Sequence, residues 1–70
     1  MLLKVEAYHD GDFWCARAVG HDIFTQGATM DELIQNIKEA VTLHFEDAPM
    51  LPEILLLSEL SLAYGALTPS

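Results

Sequence analysis

The side chains of this 70-residue sequence that could do chemistry are three histidines, one cysteine and eleven acidic groups. His9, Asp10 and Asp12 surround Gly11, and His21-Asp22 follows ten residues on. A metal centre would need several of these to converge with open coordination. Asp and Gly at such positions serve turn geometry, and that reading is preferred, with the histidines as solvated loop residues. His44 stands beside Phe45, where an imidazolium would be favoured by the end of a helix and by Glu46 and Asp47, so it reads as structural. Cys15 has no adjacent base and only Arg17 two positions along, whereas a reactive thiolate needs nearby cations or a helix N-terminus. It reads as inert packing. Phosphate loops, nucleophile elbows and zincin helices are absent. The scattered carboxylates leave a metal-dependent nuclease remnant as a minor alternative. No catalytic residue, cofactor or metal is expected.

Charge narrows the partners. The net charge is −8, with Lys4, Arg17 and Lys38 as the cations. Nucleic acid is bound mainly through Lys and Arg that neutralise phosphates, so direct DNA or RNA binding is not expected. An acidic surface favours encounter with a basic protein, or simply keeps a greasy domain soluble. With 51% hydrophobic residues and a single cysteine, the chain has no internal disulfide to support a thin core. A homo-oligomer, at least a two-fold dimer, is expected. A lone thiol fits a reducing cytosol. The first residues, Met1 to Glu6, do not read as a signal peptide. The apolar run Ile54–Leu57 with Leu60, Leu62, Ala63 and Leu67 is too short for a membrane span. A soluble cytoplasmic protein is expected.

The elements that would position these groups form one domain over 1–70. Residues 2–9 alternate, with Leu3, Val5 and Ala7 opposite Lys4, Glu6 and Tyr8, as in a half-buried strand. Asp10-Gly11 suits a two-residue hairpin loop, followed by a strand from about Asp12 to Ala18. That loop sets His9 against Asp12, Tyr8 against Phe13, Ala7 against Trp14 and Val5 against Ala16. One face then carries Leu3, Val5, Ala7, Trp14, Ala16 and Ala18. The other carries Lys4, Glu6, Tyr8, Phe13, Cys15 and Arg17. Aromatics and Arg dominate binding hot spots, so Tyr8, Phe13 and Arg17 are the candidate partner-binding residues, with ordinary edge packing or burial under the tail as an equal alternative. After a turn at Gly20-His21-Asp22, Ile23–Gln26 reads as a short strand closed by Gly27. Thr29-Met30-Asp31-Glu32 is a capping box in which Glu32 should reach back to the Thr29 N–H. Apolar residues at Met30, Leu33, Ile34, Ile37, Ala40, Val41, Leu43 and Phe45 predict a helix to about Glu46-Asp47, ended by Pro49. Gln35, Asn36, Lys38, Glu39 and Thr42 should face water. Residues 53–64 leave strand and helix open. Glu53 to Leu60 alternates, with Ile54, Leu56 and Leu60 opposite Glu53 and Glu59, and Leu55 and Leu57 make it apolar on both faces like a covered strand. A helix opening at Pro52 and ending at Gly65 is the alternative to that strand. The class is α+β, a small β-β-β-α-β domain with a mainly antiparallel sheet covered by one amphipathic helix.

Three stretches, Asp10 to Ala18, Thr25 to Leu33 and Asn36 to Val41, resemble the HicB antitoxin N-terminal domain. That family pairs a D-G hairpin and an aromatic strand with T-x-G, T-x-x-E-[LA] and a helix reading like N-I-K-E-A-I. The resemblance covers residues 3–47. It implies a truncated RNase H-like fold without the nuclease carboxylates, and neutralisation of a HicA-like toxin, a small basic RNA-cleaving protein. Gly20-His21-Asp22 stands where the family has Pro-Gly. The DNA-binding module of longer members has no counterpart, so operator autoregulation is not expected. The competing expectation is an orphan self-associating scaffold of the same fold with another partner.

Overall fold

The computed structural model describes residues 1–58. Its elements are β1 (Leu2–His9), β2 (Trp14–Ala18), β3 (Phe24–Gly27), α1 (Met30–His44) and β4 (Glu53–Ser58). They form a small α+β domain, one helix on a four-stranded mixed sheet of order β3-β2-β1-β4. The two hairpin pairings are antiparallel, and β4 returns parallel to β1. The tail is therefore a strand as far as Ser58. The readings of Leu60, Leu62, Ala63, Gly65 and Leu67 lie outside the described residues.

Period-2 alternation on the central strand gives the core its floor. Leu3, Val5 and Ala7 are buried from β1, and Ala16 and Ala18 from β2. Leu33, Ile37 and Val41, spaced by four, bring one stripe of α1 down on them. Trp14, Met30, Ala40, Phe45, Ile54 and Leu56 close the margins, half-buried. Ile23 is buried just ahead of β3, where its C=O accepts the Ala18 N–H at 3.0 Å.

The first hairpin departs from the two-residue loop. The observed pairs are His9 with Trp14, Tyr8 with Cys15, Ala7 with Ala16, Glu6 with Arg17 and Val5 with Ala18. The Asp10 carboxylate is the cause, because its Oδ1 accepts the Asp12 N–H at 2.9 Å and the Phe13 N–H at 2.8 Å. The Asp10 N–H donates to the Phe13 C=O at 3.0 Å. These bonds close a four-residue loop, with Gly11 at positive φ, 108°, and β2 starts at Trp14 rather than Asp12. Since the register moves by an even step, each side chain keeps its expected face.

The helix start follows its capping signal with one change. Thr29 Oγ1 accepts the Glu32 N–H at 3.1 Å, but Glu32 Oε1 accepts from Ala28 N–H at 2.6 Å rather than from Thr29. The helix stops at His44 with Phe45 as C-cap, short of Glu46-Asp47. Leu43, expected in the apolar stripe, is 69% exposed because it lies off the row of Leu33, Ile37 and Val41. Asn36 does not simply face water, since its Nδ2 donates to the Gln26 C=O at 2.7 Å and ties α1 to β3.

Candidate protein-binding face

The helix covers one side of the sheet, so alternation turns a second set of side chains to the other side. From β1 these are Leu2, Lys4, Glu6 and Tyr8, and from β2 Cys15 and Arg17. Register then adds Phe24 and Gln26 from β3, and Glu53, Leu55 and Leu57 from β4. Among the described residues no element lies over this face. Leu2, Tyr8, Phe24, Leu55 and Leu57 are all exposed.

Two of the three residues singled out in the sequence meet here. Tyr8 pairs with Cys15 across the hairpin, and Arg17 stands two positions along β2, beside Glu6. Phe13 is not the cross-strand neighbour of Tyr8. It belongs to the loop that Asp10 closes, one residue before β2, and remains exposed. The face gains Leu2 from the start of β1 itself, and Phe24, Leu55 and Leu57, which the hairpin pattern does not reveal because it is silent on which strands flank β1 and β2.

Arg17 Nη2 and Nε lie 3.2 and 3.3 Å from the same oxygen, Glu6 Oε1. Both side chains are well exposed. Such a pair contributes little stability, about 0–1 kcal/mol. Sharing one oxygen leaves Glu6 Oε2 without a bond among the described residues. Shallow hollows open on either side of Glu6. One of about 420 Å³ runs beside Arg17, Val19, His21 and Phe24, and one of about 380 Å³ beside Tyr8, Leu57 and Ser58. The arrangement offers flat apolar area around a carboxylate with a spare acceptor.

Cys15 is buried at the Tyr8 end of this face. Burial pushes its thiol pKa up, and the nearby Asp10 carboxylate, 3.6 Å from Sγ, adds to the rise. That is the opposite of thiolate activation. Asp10 moves the other way, because the Phe13 and Asp12 N–H groups stabilise its charged form and hold its carboxyl below the usual range. His9 Nδ1 accepts the Gly11 N–H at 3.1 Å, and its ring packs edge-on against Trp14 at 5.0 Å. His21, expected as a solvated loop residue, instead packs its ring on His44 (5.8 Å) and Phe45 (5.4 Å), joining the β2–β3 turn to the end of α1. No three His, Cys, Asp or Glu side chains among the described residues come together as a metal site. No described helix is long and apolar enough to cross a membrane.

No family model matches the chain, and no solved structure matches it. Among curated proteins it is similar to one named UPF0150 protein from Archaeoglobus fulgidus. The two are 45% identical over 47 residues, a stretch that covers 67% of this chain and 68% of the relative. Identity at that level over two-thirds of both chains places this one in a family: it belongs to UPF0150.

Proposed function

We propose that the chain is a non-catalytic protein-binding module of the HicB-like antitoxin kind, which neutralises a small basic HicA-like toxin by covering it with the open face of its sheet. The observation that carries this reading is the sheet face over which no described element lies. It holds exposed Tyr8, Leu55 and Leu57 around a Glu6 carboxylate with a spare oxygen, on a chain of net charge −8. Apolar and aromatic area supplies binding energy, and the net negative charge of the chain as a whole steers a cationic partner. The three HicB-like stretches of sequence supply the choice of toxin. A cytoplasmic setting, suited to a reduced Cys15, belongs to the same proposal.

The test is RNA cleavage by a purified HicA-like protein encoded beside this gene. Added full-length chain should abolish cleavage at about one equivalent. Tyr8→Ala, folded by circular dichroism, should need about tenfold more protein or worse, as expected of a hot-spot aromatic. Cleavage untouched by an excess of the wild-type chain would reject the antitoxin reading. The outer edge of β4, which has no second neighbour among the described residues, favours a second reading, a self-associating scaffold of the same fold.

A further inference from the structure

The two edges of the sheet are treated differently. On the β3 side the strand has four residues, Asn36 takes the Gln26 C=O, and the first turn of α1 presses on Gly27. A short, covered edge is a usual defence against pairing with another chain. β4, on the other side, has six residues and no second neighbour among the described residues. Its stretch Ile54–Ser58 contains no charge, proline or glycine, the residues that normally blunt an edge.

Hydrogen-bond direction fixes which groups are free. The Glu53 N–H donates to the Met1 C=O at 2.9 Å, so Glu53 turns its backbone towards β1. By alternation Leu55 and Leu57 do the same, and Ile54, Leu56 and Ser58 point their N–H and C=O groups outward.

We propose that this edge pairs antiparallel with β4 of a second copy, about a two-fold axis at Leu56, to make one continuous eight-stranded sheet. The proposal rests on the self-associating reading and specifies its interface. With the axis at Leu56, Ile54 faces the copy's Ser58 and Leu56 faces its equivalent, so every outward group of the strand finds a partner. Leu55 then stands beside the copy's Leu57 on the open side, so that these two leucines, 40% and 44% exposed, join the two open faces into one. Charge identifies the occupant. Two copies meet along an uncharged stretch, so their net charge of −8 each does not oppose the contact locally. Among the described residues of this edge a cationic protein would find only Glu53, and it is better served by Glu6 on the face. The closed two-fold also uses up the edge, where an open-ended arrangement would leave it to form fibres.

Cross-linking of the full-length chain tests the register. In a Cys15→Ala background, Leu55→Cys and Leu57→Cys are prepared separately, then oxidised alone and mixed. Facing residues of a non-hydrogen-bonded antiparallel pair have Cα atoms about 4.5 Å apart, within disulfide reach of about 4.4–6.8 Å. The mixture should therefore cross-link rapidly, while neither variant alone should do so. If Cys15→Ala unfolds the chain, native Cys15, buried within each copy, can be retained. Sedimentation equilibrium of the wild-type chain separates the two ways of failing. A dimer whose mixed variants do not cross-link, or in which either variant cross-links alone, overturns the β4 pairing and leaves self-association standing. A folded monomer at micromolar concentration overturns both.

Discussion

Asp10 sets the hairpin through a carboxylate that takes two backbone N–H groups, from Asp12 and Phe13. The same bonds hold its pKa below the ordinary aspartate value of about 3.9. A depressed folded-state pKa stabilises the fold above the unfolded pKa, and that contribution is lost as pH falls through the folded value. Asp10→Ala should therefore lower the denaturant midpoint at neutral pH, and the gap from wild type should narrow in acid below the ordinary aspartate value. A gap that stays constant as far into acid as both proteins remain folded would contradict this role. Asp10-Gly11 was legible in the sequence as a turn, but its length was not. The deciding bonds come from a side chain, and a two-residue loop and a four-residue loop leave the same faces buried.

At the scale of elements, Gly27 shows how tightly β3 meets α1. A Cβ there would lie 2.7 Å from the Leu33 nitrogen and 3.0 Å from the Glu32 carbonyl carbon, both backbone atoms that no rotamer change can move. Gly27→Ala should cost about 1–3 kcal/mol, the range for forcing extra volume into a packed site. A thermal or chemical unfolding midpoint equal to wild type would show that the strand and helix do not approach this closely. Gly27 read in the sequence only as the end of a strand, because close approach involves a helix whose placement the local pattern does not contain. The helix itself was legible from Thr29, Glu32 and the four-residue spacing of Leu33, Ile37 and Val41. β4 was legible as a strand but with a helix as its rival, since apolar residues at every position from Ile54 to Leu57 blurred its alternation. Its parallel place beside β1 accounts for that run: Ile54 and Leu56 close the core, while Leu55 and Leu57 extend the open face.

At the scale of the whole molecule, a sheet that the described residues cover on one side and a large negative charge belong together. The helix side is filled by the core, and the proposed basic partner would use the other side, where Tyr8 and Arg17 were legible from β-strand alternation and Leu55 and Leu57 were not. The charge of −8 then predicts how that partner arrives. Stopped-flow association with a purified HicA-like basic protein tests this most directly, from about 10 mM salt, where the Debye length is about 30 Å, to about 1 M, where it is about 3 Å. The association rate should fall steeply across that range while dissociation changes little, because apolar contacts on the open face hold the complex once formed. An association rate that stays flat with salt, or no binding at either extreme, would contradict the account.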